Sequence, residues 1–151
     1  MIFVPRNASE EQVLDIVREW VQVLARGDYE FIFAELGYSL TFGEPGAECI
    51  RNEIKKYRSP EYFPEIEEFM VSDWKTARGG YAAHKQKVIW YKQNSVGLAG
   101  DVEFDLPLNG KWSDLKADFV FFDNKKLKEG YVLALEQIQS NAQWQREVEH
   151  L

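Results

Sequence analysis

One stretch of strict alternation constrains this chain more than any other feature. From Val96 to Leu108 the even positions are apolar or glycine, and the odd positions include three acids. Period-two alternation is typical of a β-strand with one buried face and one solvated face. The next two residues, Asn109-Gly110, favour a tight hairpin turn. Because Ser113 to Phe122 then carries apolar residues at odd positions, the sequence predicts an antiparallel hairpin with one apolar and one acidic face.

The pairing register of this hairpin has two solutions. A two-residue loop places Asp101 opposite Asp118, whereas a four-residue loop places Glu103 opposite Asp118 and Asp105 opposite Lys116. Both loops leave the same residues on each face, so the pattern does not choose between them. Facing carboxylates destabilise a sheet unless a cation or a partner surface compensates their charge.

The first helix has clear boundaries in the sequence. Ser9 and Gln12 match a capping box, in which each side chain bonds the backbone of the other residue. Apolar residues then recur at three- and four-residue spacing, as on one face of an amphipathic helix, and Arg26-Gly27 supplies its end. This apolar stripe comprises Val13, Ile16, Val17, Trp20, Val21 and Leu24.

Two further helices and three further strands are predicted. Asp28 is expected to cap an aromatic-rich helix that Gly37 ends, and a third helix is expected from about Ala47 to Tyr57. Period-two patterns then predict two strands. A last strand is predicted from a run that is apolar on both faces, which suggests a central position in the sheet. Ser140 is expected to cap a short C-terminal helix. The predicted strands are Glu68–Thr76, Lys87–Gln93 and Tyr131–Ile138.

Helices followed by strands, rather than alternating with them, predict an α+β fold. In this fold the N-terminal helices pack on a curved, cone-like antiparallel sheet. At 151 residues and 17.6 kDa, the chain suits a single domain that spans residues 1–151.

Net charge limits the partners that are expected, and cysteine content indicates the compartment. A net charge of −7 repels phosphate, so nucleic acid and anionic membranes are not expected as partners. The single cysteine, Cys49, rules out an intrachain disulfide and is predicted to be a small core residue. Because the N-terminus also lacks the apolar run of a secretory signal, we expect a cytoplasmic protein.

The order of these elements resembles the nuclear transport factor two-like superfamily, also called cystatin-like. The resemblance covers nearly the whole chain and rests on architecture. More locally, Asp101–Leu108 followed by Gly110–Leu115 is similar to a strand–turn–strand of uncharacterised bacterial domains. Some related small acidic proteins lie beside interbacterial toxins. The resemblance therefore implies the fold and a bacterial origin, and it implies no chemistry by itself.

Enzymes of that superfamily place an Asp, His or Tyr in a pocket between sheet and helices. The apolar face of the predicted hairpin holds no acid, so no catalytic residue is predicted. The candidates for a pocket are His84, Trp90, Tyr91 and Glu136. Their simpler interpretations are an exposed neutral histidine, two core or sheet-surface aromatics and a solvated glutamate near a strand end.

The acidic face of the hairpin carries Asp101, Glu103, Asp105 and Asp118. Its simplest interpretation is a solvated surface, its second a docking face for a basic protein partner, and its third a metal site. Too few oxygens are present for calcium, and the spacings of zinc sites, phosphate loops, dinucleotide motifs and nucleophile elbows are missing. No metal or cofactor is predicted.

The predicted function is that of a non-catalytic binding protein. Its sharpest form is an immunity-type protein that docks a basic protein partner through the acidic face. The alternative is a small-molecule-binding protein, or an isomerase- or hydrolase-like enzyme, with a hydrophobic cone pocket for a small apolar ligand. A homodimer formed through the sheet face is compatible with both.

Overall fold

The structure is a computed structural model that describes residues 2–38, 45–57, 68–124 and 130–140. Within these ranges three helices precede most of the strands, which confirms the predicted α+β class. The expected C-terminal helix lies outside the described residues. In chain order the elements are β1 (Ile2–Pro5), α1 (Glu10–Ala25), α2 (Tyr29–Leu36), α3 (Gly46–Lys55), β2 (Gln86–Trp90), β3 (Leu98–Leu108), β4 (Lys111–Phe122) and β5 (Gly130–Ser140).

The five strands form one curled antiparallel sheet in the order β1-β5-β4-β3-β2. The last strand, β5, is therefore an interior strand paired on both sides, next to the edge strand β1, which agrees with the prediction from its two apolar faces that it is not an edge strand. The N-terminal strand β1 was not predicted, because four residues before a turn are too few to show a period. Helix α1 packs on β2 and β3, whereas α2 and α3 pack on β5. All three helices thus lie on one face of the sheet.

The N-terminus of α1 confirms the predicted capping box. Ser9 Oγ accepts from the backbone N–H of Gln12 at 3.2 Å, and Gln12 Oε1 accepts from the backbone N–H of Ser9 at 2.7 Å. Each bond satisfies a donor that the first helical turn leaves unpaired. The apolar stripe behind this cap is buried except for Ile16, which is partly buried against the core.

Helices α2 and α3 meet closely at a glycine. A Cβ placed on Gly46 would lie 2.0 Å from the ring of Phe33, so only glycine allows this packing. Cys49 is buried on α3, as expected of a core residue. The prediction that Asp28 caps α2 is corrected in one respect. Asp28 is the N-cap residue, but its side chain makes no capping hydrogen bond. Gly37 ends α2 with φ of +71°.

The β3–β4 hairpin contains both predicted registers. Next to the turn Leu108 pairs with Lys111, as a two-residue loop requires, whereas farther along Glu103 pairs with Asp118, as a four-residue loop would give. The change is a bulge in β4 around Ser113. Its buried hydroxyl donates to the carbonyl of Leu106 at 2.7 Å and accepts from the N–H of Leu115 at 3.1 Å. The hydroxyl therefore satisfies polar groups that the bulge removes from the ladder.

Two strand predictions were wrong. The stretch Glu68–Thr76 makes only one isolated bridge, from Val71 to Leu108, before Asp73 accepts from the backbone and starts a turn. Val96 does not begin β3, because it lies at a loop tip and is 79% exposed. Short apolar segments near Asp and Asn favour turns over strands when those side chains bond the backbone.

The helix-facing side of the sheet is sealed from water. Its largest side chains are fully buried together with residues of all three helices, and they form one continuous core. Among the described residues, no helix is long and apolar enough to span a membrane. The core residues contributed by β3, β4 and β5 include Val102, Phe104, Leu106, Leu115, Ala117, Phe119, Phe121, Leu133, Leu135 and Ile138.

Candidate functional site

The sheet face that points away from the helices carries the predicted acids. Odd positions of β3 and even positions of β4 lie on it, because their sequence neighbours are buried in the core. We call this surface the outer face. Four of its cross-strand rows of side chains matter here, each read from β1 or β5 toward β2. The first row is Phe3, Val132 and Phe122, and the second is Ala134, Val120, Asp101 and Ile89. The third row is Gln137, Asp118, Glu103 and Lys87, and the fourth is Gln139, Lys116 and Asp105.

The first row of the outer face is apolar. Phe3 is 48% exposed although it is a large aromatic side chain, and its cross-strand neighbour is the buried Val132, which also pairs with Phe122 on the other side. The second row is apolar except for one acid. An apolar surface beside a charged one is a common composition of protein interfaces, which combine an apolar centre with polar groups.

Asp101 is the acid in that second row. Its Oδ2 accepts from the hydroxyl of Tyr91 at 3.2 Å, but its Oδ1 has no hydrogen-bond partner although almost no solvent reaches it. Burial raises the pKa of the Asp101 carboxyl, and the negative charges of Asp118 and Glu136 raise it further. The folded chain therefore supplies this carboxylate with fewer donors than it can accept.

Asp118 shows the same deficit in the third row. It is only 5% exposed, its Oδ2 accepts from Gln137 Nε2 at 2.9 Å, and its Oδ1 has no hydrogen-bond partner. Lys116 Nζ lies 3.6 Å from that Oδ1 and 3.5 Å from Glu103 Oε1, so two carboxylates share one ammonium group. Burial raises the pKa of Asp118 against the opposing effects of Gln137 and Lys116.

The burial of Asp118 and Asp105 corrects the predicted solvated face. Glu103 and Gln137 on the neighbouring strands, and Lys116 two residues away on β4 itself, surround Asp118. Asp105 is 3% exposed, and its carboxylate accepts from the backbone N–H of Lys85, which lies just before β2, at 2.9 Å. Asp105 is thus a structural residue that holds the chain entering β2.

The four predicted pocket residues do not lie together. The ring of His84 stacks on Trp112 with centroids 4.2 Å apart, and its Nδ1 lies 2.9 Å from the carbonyl of Tyr81, near the β3–β4 turn. Glu136 lies close enough to the outer face to raise the pKa of Asp101. Trp90 and Tyr91 line one cavity, whose described lining includes neither His84 nor Glu136.

That cavity, of about 360 Å³, lies at the other end of the hairpin from His84. It is bounded by the loop between β2 and β3, the end of β4 and the start of β5. Sequence reasoning missed two of its walls, Asp123 and Tyr131. No local pattern identifies them, because they come from strand ends that meet only once the sheet is paired.

No group of three or more His, Cys, Asp or Glu side chains is arranged to hold a metal ion within the described ranges. No protein-family model matches the chain, and no curated protein or solved structure matches it significantly. Functional inference for this chain therefore depends on the chemistry of the outer face and of the cavity. The outer face offers two carboxylates that each have one oxygen without a hydrogen bond, beside the exposed Phe3.

Proposed function

We propose that this protein is a binding protein whose outer face docks a partner protein that presents a basic side chain next to apolar residues. The observation that carries this proposal is the pair of carboxylate oxygens, Asp101 Oδ1 and Asp118 Oδ1, which are buried without a hydrogen bond. A guanidinium or ammonium group is the donor that such oxygens bind most strongly.

The balance of charge on the outer face supports a cationic partner. Lys116 contacts both Glu103 and Asp118, while Asp101 lies beyond its contacts in the second row and receives only the Tyr91 hydroxyl. An arriving arginine has five N–H donors in a planar fork, so it can bond two carboxylates at once. The net charge of −7 steers such a partner toward the protein.

The apolar first row supports a protein rather than a free amine as partner. Phe3, which is exposed, and Phe122, which is partly exposed, flank the buried Val132 in an apolar strip beyond the acids. Removal of apolar area from water supplies about 25 cal/mol per Å². Because the two unbonded carboxylate oxygens are already shielded from solvent, their bonds to a cation are stronger than they would be in water.

A peptide titration tests the proposal without knowledge of the natural partner. Acetyl-Leu-Arg-Leu-amide is added to ¹⁵N-labelled protein, and acetyl-Leu-Gln-Leu-amide is the matched neutral probe. We expect saturable shifts of the backbone amides of Asp101, Asp118 and Val120 with the arginine peptide only. The double variant Asp101→Asn with Asp118→Asn should weaken binding about tenfold or more, since each charge-assisted bond contributes about 1.5–3 kcal/mol.

The control variant changes the same number of charges elsewhere. Glu19 and Glu30 are exposed acids on α1 and α2, so Glu19→Gln with Glu30→Gln raises net charge equally and should leave binding unchanged apart from weak screening effects. Equal loss of affinity in both double variants would refute a site on the outer face and leave only a general effect of charge.

The finer expectations form part of this proposal. We infer a cytoplasmic protein of bacterial origin, with the nuclear transport factor two-like architecture and an immunity-type role toward a basic target. Supporting features are the acidic charge, the lone buried Cys49 and the helix-then-sheet order. Sedimentation analysis of the protein alone distinguishes docking of a basic partner from docking of a second copy of the chain. Self-association through the outer face would give a concentration-dependent dimer.

A further inference from the structure

We propose that the cavity at the β2–β3 loop binds a planar heteroaromatic ring that carries an N–H donor on its edge. This site lies at the edge of the outer face and shares one residue with it, because Tyr91 lines the cavity and donates to Asp101. Its walls are three aromatic rings, one carboxylate and the backbone of the loop. The residues used below are Trp90, Tyr91, Asn94, Gly97, Asp123 and Tyr131.

The aromatic walls are held open. Trp90 is 46% exposed, and one edge of it packs against Phe121 with centroids 5.2 Å apart and ring planes at 80°. Tyr131 packs on the same Phe121 ring at 5.8 Å. Phe121 thus joins Trp90 and Tyr131 from the core side and leaves ring surface available on the cavity side. Large rings with exposed faces favour offset or edge contact with another flat ring.

The loop that closes the cavity is preorganised. The side chain of Asn94 donates to the carbonyls of Lys92 and Leu98 and accepts from the N–H of Leu98, at 2.7 to 3.1 Å. Gly97 adopts φ of +74° and accepts from the backbone N–H of Asp123 at 2.7 Å. The loop is therefore fixed to the end of β4 before any ligand arrives, which lowers the entropic cost of binding.

The polar wall specifies a donor on the ligand. Asp123 Oδ1 pairs with Arg6, and this bond holds the pKa of the Asp123 carboxyl below its usual range, so the group is an acceptor at neutral pH. The guanidinium of Arg6 also covers one face of Tyr131, 4.9 Å from the ring centroid. A second cation has less favourable surroundings there, whereas a neutral ring N–H can reach the carboxylate.

The volume fits this class of ligand. Small-molecule sites commonly measure about 300–1,000 Å³ and combine apolar or aromatic walls with a few polar groups. At about 360 Å³ the cavity lies at the lower end of that range. It therefore suits a bicyclic ring with a short substituent.

Benzimidazole is the test probe, and N-methylbenzimidazole is its matched partner without the N–H donor. Both are titrated into ¹⁵N-labelled protein at neutral pH, and binding is read from the Trp90 indole and the amides of Gly97 and Asp123. We expect saturable benzimidazole binding with a Kd in the millimolar range or tighter, and at least about tenfold weaker binding of the methylated ring. Shifts that do not saturate, or equal affinity for both rings, would overturn the proposal.

Three variants locate the site. Trp90→Leu removes one aromatic wall and should weaken benzimidazole binding severalfold. Asp123→Ala removes the acceptor and should make benzimidazole and its methylated form bind alike. Val96→Ala changes the exposed tip of the same loop, outside the cavity lining, and should bind as the unaltered protein does. Unchanged binding in both Trp90→Leu and Asp123→Ala, with circular dichroism confirming that each is folded, would place the ring elsewhere and refute the cavity.

Discussion

The two faces of β3 and β4 come from the same strands but treat water differently. On the helix side Phe104 and Phe119 are completely excluded from solvent among apolar neighbours. On the outer face Asp101 and Asp118 also lose most of their water, yet each keeps one oxygen without a hydrogen bond. The inner face is thus complete within this chain. On the outer face Tyr91, Gln137 and Lys116 compensate the desolvation of the two carboxylates only in part.

This difference separates stability from function. A finished apolar surface contributes free energy of folding, and any change in it should cost stability. A buried carboxylate that lacks donors lowers stability, so neutralising it should stabilise the fold and weaken binding. Substitutions at neighbouring residues of one strand should therefore change the free energy of unfolding in opposite directions, and this is what should be measured.

The largest expected effect is on the inner face. Phe104→Ala should lower the free energy of unfolding by about 3–5 kcal/mol, because it removes a fully buried ring and leaves a cavity. Its sequence neighbour on the outer face is the matched control. Glu103→Ala should change stability by about 1 kcal/mol or less, because Glu103 makes a partly exposed ion pair with Lys116. Urea unfolding measures both, and equal losses would show that the outer face is as tightly integrated as the core.

A second test concerns the contact between the two strands on the inner face. A Cβ on Gly100 would lie 2.2 Å from Phe121 Cζ and 2.8 Å from the carbonyl oxygen of Ile89. Gly100→Ala should therefore cost about 1–3 kcal/mol through overpacking. Phe121→Leu in the same chain should recover part of that loss, because it removes the ring tip but leaves the backbone contact. Strictly additive losses in the double variant would place the strain elsewhere.

Local patterns predicted much of the inner face. The capping box at Ser9 and Gln12 depends on residues three apart, and the alternation through Val102 and Phe104 depends on residues two apart. Such signals need no tertiary contact to be read correctly. The sheet-facing sides of α1, β3 and β4 could therefore be predicted from sequence, as could the interior position of β5.

The outer face and the cavity could not be predicted in this way. Burial of Asp105 depends on Lys85 from another strand end, and burial of Asp118 depends on neighbours that cross two strand pairs. The bulge at Ser113 also shifted the pairing, so that neither uniform register described the whole hairpin. Tyr131 reaches the cavity only through pairing of β5 with β4. Nonlocal burial, and not residue type, decides whether a strand carboxylate is solvated.

The smallest expected effect tests whether the buried Asp118 carboxylate raises or lowers the stability of the fold. Burial raises the pKa of Asp118 above its ordinary 3.8, so the folded state holds this proton more tightly than the unfolded chain does. The stability that this group contributes is therefore full below pH 3.8 and is lost as pH rises through the folded pKa. Asp118→Asn cannot ionise and can still accept from Gln137, so it should melt a few degrees higher at neutral pH and show no advantage in acid.

Asp123→Asn is the control, because the pKa of Asp123 is shifted in the opposite direction. The bond to Arg6 lowers the pKa of Asp123. The contribution of Asp123 to stability is therefore present above pH 3.8 and is lost as pH falls through the folded pKa. That variant should melt at the same temperature as the unaltered protein, or slightly lower, at neutral pH. If Asp118→Asn were also less stable there, the attraction of Lys116 would outweigh burial. Lys116 would then already compensate the charge of Asp118, and the outer face would not need a cationic partner.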